Sequence, residues 1–358
     1  MSFSVGIVGL PNVGKSTLFQ ALTKKQVEAA NYPFCTIDPN VGVVAVPDSR
    51  LEKLAKTEKS EKIVPTAIEF VDIAGLVAGA HKGEGLGNKF LANIREVDAI
   101  VQVLRYFEDD DIIHVHNKID PIADMETINL ELMMADLQTV DKSLEKVRRE
   151  AKSGDKEMIA MKEVLEKIKQ HLEDGKLVIE LDLDKDENFM IKSLSLLTNK
   201  PFLYVLNVAE DQLGEGDKLP EELKKLEPVL ISAKIESELA ELSVDELEEY
   251  LKELGISSTG LDKLIKAVYK NLNLITFFTA GPMESKAWTV TDGSTAPQAA
   301  GKIHGDFESN FIRAEVLNWQ DLVETGSWAA AKEKGIAREE GKEYLAQDGD
   351  VMIIKHGA

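Results

Sequence analysis

The sequence predicts an α/β nucleotide-binding fold that is interrupted by a helical arm and followed by a small α+β module. Three observations carry that expectation. Gly9-Leu10-Pro11-Asn12-Val13-Gly14-Lys15-Ser16 fits G-x-x-x-x-G-K-[ST] between a β-like run, Ser4 to Val8, and a helix-like run, Thr17 to Thr23. Downstream, the apolar strand Thr66 to Val71 ends in Asp72-Ile73-Ala74-Gly75, which fits D-x-x-G. From Glu126 onward the apolar residues change to heptad spacing. The first two place the fold among P-loop nucleoside triphosphatases, as a Ras-like G domain, and the third describes an antiparallel coiled-coil insertion.

The glycine-containing loop explains itself physically. Its backbone can turn so that the N–H groups around Asn12, Val13 and Gly14 aim at phosphate oxygens, and the helix that starts near Thr17 adds its positive end. Lys15 supplies a charge for the β/γ-phosphates and Ser16 a hydroxyl for Mg²⁺. Next, Asn31 to Asp38 is a turn-rich stretch leading to Val41, Val43, Val44 and Val46, as suits a switch loop feeding a strand. Thr36 is the candidate to cap the γ-phosphate through Mg²⁺. Cys35 beside it reads as an inert thiol.

In D-x-x-G the Asp72 carboxylate is expected to hold Mg²⁺ through water while the Gly75 N–H meets the γ-phosphate. Leu76 follows, where regulatory GTPases carry the glutamine that orients the attacking water. Leucine cannot do this, so another polar group, the backbone or a partner must, and slow unaided turnover is expected. Two histidines are near enough in sequence to serve: His81 in the glycine-dense stretch Gly79 to Asn88, and His114 in the loop Phe107 to His114 after the strand Ala99 to Tyr106. The residues themselves do not choose between them, nor do they exclude that both are solvated loop side chains.

In the heptad region Leu130, Met133, Leu137, Val140, Leu144, Val147 and Ala151 form one seam. Past the turn Ser153-Gly154-Asp155, a second seam is formed by Met158, Met161, Leu165, Ile168 and Leu172. The tip, Lys146 to Lys156, holds five Lys/Arg against two acids, whereas the chain of 358 residues carries a formal charge of −21. That overall charge opposes a protein that coats nucleic acid, and no DNA partner is expected. The tip could still meet RNA phosphate, or be an ordinary solvated helix face. One cysteine excludes an internal disulfide framework and cysteine-cluster metal sites. Met1 to Gly6 has neither part of a signal peptide, and no apolar run reaches about 18 residues, so a soluble cytoplasmic protein without membrane contact is expected.

The α/β pattern resumes at Lys200 to Leu206 and ends in Asn207-Val208-Ala209-Glu210, where such domains select the base with N-K-x-D. A literal N-K-x-D at Asn117 to Asp120 is rejected, because the companion Ser232-Ala233-Lys234, after the short strand Val229 to Ile231, is far closer to Asn207. Asn207 is expected to fasten loops, with Val208, Glu210, Ser232 and Ala233 around the base. Glu210 displaces the carboxylate by about 1.5 Å relative to aspartate. Guanine then loses charge-assisted bonds, and adenine does as well or better if backbone groups near Val208 read it. An acidic helix-rich stretch, Glu236 to Leu254, and a helix from Lys263 to Leu272 complete this part. A boundary is expected at Thr276 to Pro282, followed by strands at Trp288 to Thr291, Phe311 to Val316 and Val351 to Ile354 and a helix from Lys302 to Phe307.

Taken together, the chain resembles the Obg-like ATPases of the YchF family over essentially its whole length. The likeness rests on G-L-P-N-V-G-K-S-T at Gly9 to Thr17, P-F-C-T-I at Pro33 to Ile37, D-I-A-G-L at Asp72 to Leu76, G-E-G-L-G-N at Gly83 to Asn88, and N-x-x-E at Asn207 to Glu210. Ala296 to His304 resembles the ubiquitin-like β-grasp module, termed TGS, that ends these proteins. The resemblance implies a nucleotide domain (1–125 and 198–275), an inserted arm (126–197) and a TGS domain (276–358). It also implies ATP as substrate in preference to GTP, ribosome association, a switch role in translation or stress response, and His114 as the hydrolysis residue. The literal N-K-I-D departs from the family pattern and is taken as accidental. Two other readings stay open: a nucleotide-gated binding module with little turnover, and a conventional GTPase that uses Asn117 to Asp120.

Overall fold

A computed structural model describes residues 3–24, 40–73, 86–109, 112, 118–214, 216–253 and 258–357. Strands β1 (Phe3–Val8), β2 (Val41–Ala45), β3 (Lys62–Val64), β4 (Ala67–Asp72), β5 (Ala99–Arg105), β6 (Phe202–Asn207) and β7 (Val229–Ile231) precede a C-terminal group. That group is β8 (Leu274–Ala280), β9 (Glu284–Thr291), β10 (Phe311–Asn318), β11 (Arg338–Glu340) and β12 (Asp350–His356). One six-stranded sheet has the order β2-β4-β1-β5-β6-β7, with β1, β5, β6 and β7 mutually parallel. Central β5 is buried along its whole length, as expected of a parallel strand covered on both faces.

Helices α1 (Lys15–Lys24), α2 (Ser49–Glu58) and α3 (Leu86–Glu96) come before the arm, which is built from α4 (Pro121–Glu150) and α5 (Lys156–Glu173). Asp120 caps α4 by accepting from the Ala123 amide, with Pro121 in the first turn, where its missing N–H costs nothing. The turn falls at Gly154 (φ +83), and the Asp155 carboxylate accepts from the amides of Glu157 and Met158 to start α5. Arg148 pairs with Glu166 at 2.8 Å and Lys169 with Asp141 at 2.7 Å, which defines an antiparallel register. Met133, Val140, Leu144, Val147, Leu165, Ile168 and Leu172 share one buried cluster. Leu130, expected in that seam, is instead 55 % exposed. The register explains it: α5 ends at Glu173, near the level of Leu137, so Leu130 lies beyond the end of its partner helix.

The arm is anchored by a buried carboxylate. Asp136, fully buried on α4, accepts from the Leu197 amide (2.9 Å), the Thr198 amide (2.8 Å) and the Thr198 hydroxyl (2.7 Å). The incoming helix is thereby tied to the segment that returns to β6. Lys200 donates to the carbonyls of Arg95 and Val97 at the end of α3, which suits a cation at a helix C-terminus.

Helices α6 (Lys185–Ile191), α7 (Glu221–Lys224), α8 (Ala233–Leu239), α9 (Val244–Glu253) and α10 (Gly260–Asn271) complete the middle of the chain. The second sheet has the order β11-β10-β12-β8-β9-β3. Within it β8 and β9 form an antiparallel hairpin, β10 and β12 are antiparallel, and β12 runs parallel to β8. Helix α11 (Ala296–Ile303) covers one face through Ala296, Ala299 and Ala300 against Phe277, Val290 and Phe311. Leu51 and Leu54 of α2 cover the other, against Phe278, Ala287 and Val351.

Two compact units result: the first gathers Glu69–Leu264 with the N-terminal strand and helix, the second gathers Val43–Ile68 with Ile265–Ala358. The arm thus belongs to the first unit, and residues 43–68 group with the C-terminal sheet, through β3 pairing with β9 and α2 packing on the sheet face. The stretch Thr276 to Pro282, expected as a boundary, is largely strand β8. The helix expected from Lys302 to Phe307 is two helices, α11 and α12 (Gly305–Ser309), broken at His304, whose backbone is extended.

Candidate functional site

The C-terminal ends of β1, β4, β5 and β6 meet at one cavity of about 1220 Å³. In open α/β sheets this is the edge where ligands bind. Its walls include Asn12, Gly14, Lys15, Ser16, Thr17, Asp72, Asn207, Val208, Glu210, Ser232 and Ala233, all expected from sequence. Val13, expected beside them, is buried behind the loop.

The phosphate loop owes its shape to two residues in the left-handed region, Asn12 (φ +64) and Gly14 (φ +91). Alternating backbone conformations of this kind turn successive N–H groups toward a common concavity. Gly14 is obligatory for a second reason, since a Cβ there would collide with the side-chain amide of Asn207. Helix α1 begins at Lys15, so the positive end of its dipole faces the cavity. The Lys15 ammonium, largely buried, is paired with the Asp72 carboxylate at the end of β4. Asp72 is held in turn by its own amide, which donates to the Asn40 carbonyl at 2.8 Å.

Asn207, at the end of β6, joins three pieces. Its Nδ2 donates to the Val13 carbonyl at 2.9 Å, and its Oδ1 accepts from the Ala233 amide at 3.0 Å. Its carbonyl accepts from the amides of Tyr106 (2.8 Å) and Phe107 (3.2 Å). One buried side chain thus fixes the phosphate loop against Ser232-Ala233, while its backbone holds the loop after β5. Glu210 opens a short 3₁₀ turn, Glu210–Gln212, and is exposed on the cavity wall. The Val208 amide is spent on the Ile231 carbonyl (2.9 Å) and the Ala209 amide on Gln212 Oε1 (2.9 Å). Backbone reading of a base at these two residues therefore falls to their carbonyls, which accept from an exocyclic amine.

Lys118 and Asp120 are not among the cavity walls; Asp120 caps α4 and pairs with Lys118 at 2.9 Å. That capping role accounts for the aspartate of the literal N-K-I-D. Thr36, Gly75, Leu76, His81, His114 and Asn117 lie outside the described residues. Sequence reasoning missed Phe107, Asp109 and Ile112, which form one wall, and Lys234, Ile235, Ser237 and Glu238, which form another. The second group had a signal, because it continues directly from Ser232-Ala233 into the first turns of α8.

Residues 4–163 match the family described as 50S ribosome-binding GTPase, and residues 274–357 match the C-terminal domain family of YchF GTPases, described as a protein of unknown function. The chain is 55 % identical to the ribosome-binding ATPase YchF of Haemophilus influenzae, over 99 % of both chains. It is 52 % identical to the protein of that name from Bacillus subtilis, again over 99 % of both. The solved structure of the Schizosaccharomyces pombe YchF GTPase superposes with a TM-score of 0.86 at 39 % identity, covering 99 % of this chain and 98 % of that one. With identity of this order over nearly its full length, the chain belongs to the YchF family.

Proposed function

We propose that this protein is a ribosome-associated ATPase that hydrolyses ATP to ADP and phosphate and acts as a nucleotide-dependent switch in translation or stress response. The observation that carries the reading is the Asn207 side chain, which bonds both Val13 and Ala233 and so sets N-V-A-E on the same cavity as the phosphate loop. ATP is preferred over GTP because Glu210 stands where aspartate would receive guanine, while the Val208 and Ala209 carbonyls suit the N6 amine of adenine. The relatives' name, ribosome-binding ATPase, supports the ribosome association and the ATP hydrolysis.

The residues present fit Mg²⁺. Ser16 and Asp72 bring a hydroxyl and a carboxylate to one cavity, and these are hard oxygen donors of the kind that ion takes beside phosphate and water. Ser16 and Thr36 would ligate it directly and Asp72 through water; bound there, it would neutralise charge on the β/γ-phosphates. Lys15 and the loop amides hold the phosphates in line, and His114 positions the attacking water in place of the residue that Leu76 cannot supply.

Three modules divide this work: the nucleotide domain (1–125 and 198–275, apart from residues 43–68, which group with the C-terminal sheet), the arm (126–197) and the TGS domain (276–358). The ribosome is met through RNA phosphate at the arm tip, where Arg149, Lys152 and Lys156 are exposed, and through the TGS domain. Among the described residues no helix is long and apolar enough to cross a membrane, and a cytoplasmic location suits the proposed partner. Phosphate release and ribosome cosedimentation, each with ATP and without nucleotide, test the proposal. Turnover of ATP together with nucleotide-dependent cosedimentation is expected; absence of both would contradict it.

A further inference from the structure

Arg105 ends strand β5, in which Gln102 is the other polar residue, and is 1 % exposed, which makes it the largest fully buried side chain among the described residues. A guanidinium stays charged at any ordinary pH, so its burial requires compensation. Among the described residues that compensation comes from main-chain carbonyls. Nε donates to Phe107 at 3.2 Å, Nη1 to Ile112 at 2.9 Å and Nη2 to Asp109 at 3.1 Å. The guanidinium carbon also lies 4.5 Å from the centroid of the Phe107 ring.

Phe107, Asp109 and Ile112 are the residues that form one wall of the nucleotide cavity. A loop after a strand has no ladder to order it, and here one planar donor binds three of its carbonyls. The amides of Tyr106 and Phe107 are bound to the carbonyl of Asn207, the first residue of N-V-A-E, which connects this wall to the segment expected to select the base. An apolar residue at position 105 would fill the same space but leave three carbonyls without that donor, and a lysine could reach fewer of them.

We infer that Arg105 is a positioning residue of the nucleotide site, holding the wall of Phe107, Asp109 and Ile112 against the base and ribose of a bound nucleotide through three carbonyls. This rests on the proposed nucleotide function and assigns Arg105 no contact with the reacting atoms. The site then divides into a phosphate end, organised by Asn12 to Thr17, and a base end whose wall depends on Arg105.

The test uses full-length protein with Arg105→Met and Arg105→Lys. ATP and inorganic tripolyphosphate, which lacks base and ribose, each compete against a fluorescent nucleotide, and melting is recorded for each variant. Arg105→Met is expected to weaken ATP about tenfold or more, equivalent to at least about 1.4 kcal/mol, with tripolyphosphate changed less than about twofold. Arg105→Lys, which keeps the charge and some donors, is expected to fall between wild type and Arg105→Met, and it carries the test if Arg105→Met does not fold. Equal loss of ATP and tripolyphosphate binding would reduce Arg105 to a general structural residue, and unchanged ATP binding in a folded variant would overturn the inference outright. Failure of wild type to bind ATP would instead refute the nucleotide reading on which the inference rests.

Discussion

The side-chain amide of Asn207 donates to the main-chain carbonyl of Val13 at 2.9 Å, across 194 residues of sequence. That bond, with its counterpart to the Ala233 amide, makes the phosphate loop and the base loop one object. Asn207→Ala removes donor and acceptor together and leaves a buried carbonyl and a buried N–H unpaired. The expected cost is about 1–3 kcal/mol for each unpaired group. Nucleotide affinity should fall for ATP and GTP alike, which parallel titrations would check.

Gly14→Ala should fail more severely. The residue sits at φ +91, and its new Cβ would collide with the Asn207 amide. Backbone strain alone costs about 1–3 kcal/mol, and moving Asn207 adds the loss of its bonds. Nucleotide binding is expected to disappear while circular dichroism still reports a folded chain.

The Lys15–Asp72 ion pair predicts a behaviour of its own. Bound phosphate would draw the ammonium away from the carboxylate, so Asp72 would compete with nucleotide for Lys15 when Mg²⁺ is absent. Asp72→Asn should therefore tighten ATP binding in EDTA by roughly threefold to tenfold, about 0.6–1.4 kcal/mol, and shrink the gain on adding Mg²⁺. Turnover should fall at the same time.

At the arm base, burial raises the pKa of Asp136 above the ordinary carboxylate value, although the Thr198 and Leu197 hydrogen bonds oppose the rise. A raised folded pKa means that the folded state binds the proton more readily than the unfolded one. The stability linked to that proton is fully present below the unfolded pKa and is lost as pH rises through the folded one. Asp136→Ala should cost about 1–3 kcal/mol through its orphaned donors. The difference from wild type should be larger in the acid range than near neutrality, as urea unfolding at several pH values would show.

His114→Ala is expected to lower kcat by about 10²- to 10⁴-fold, the usual worth of a side chain set on the attacking group, while ATP affinity stays within about twofold. Single-turnover phosphate release together with a binding titration separates the two effects.

How much of this could be read without coordinates depends on how local each constraint is. Gly9 to Ser16 was legible because cradling phosphate constrains a contiguous backbone segment, and Asp72 because a carboxylate at a strand end has a recognisable frame. Asn207 was legible through its companion Ser232-Ala233. The grouping of residues 43–68 with the second sheet was not, since the partners of β3 and α2 lie more than two hundred residues away and no local pattern encodes the pairing. Leu130 was misplaced because heptad spacing continues along α4 after α5 has ended. Arg105 left one trace, a permanent charge closing a largely apolar strand, which reads equally well as a strand end reaching solvent.

The central claim is that this cavity, with Glu210 in place of aspartate, favours adenine. Competition of ATP and GTP for the purified protein in Mg²⁺ tests it most directly. The account predicts tighter binding of ATP than of GTP by about tenfold or more, corresponding to the loss of one charge-assisted guanine bond. Tighter binding of GTP, abolished by Asp120→Ala, would contradict it and return base selection to Asn117 to Asp120.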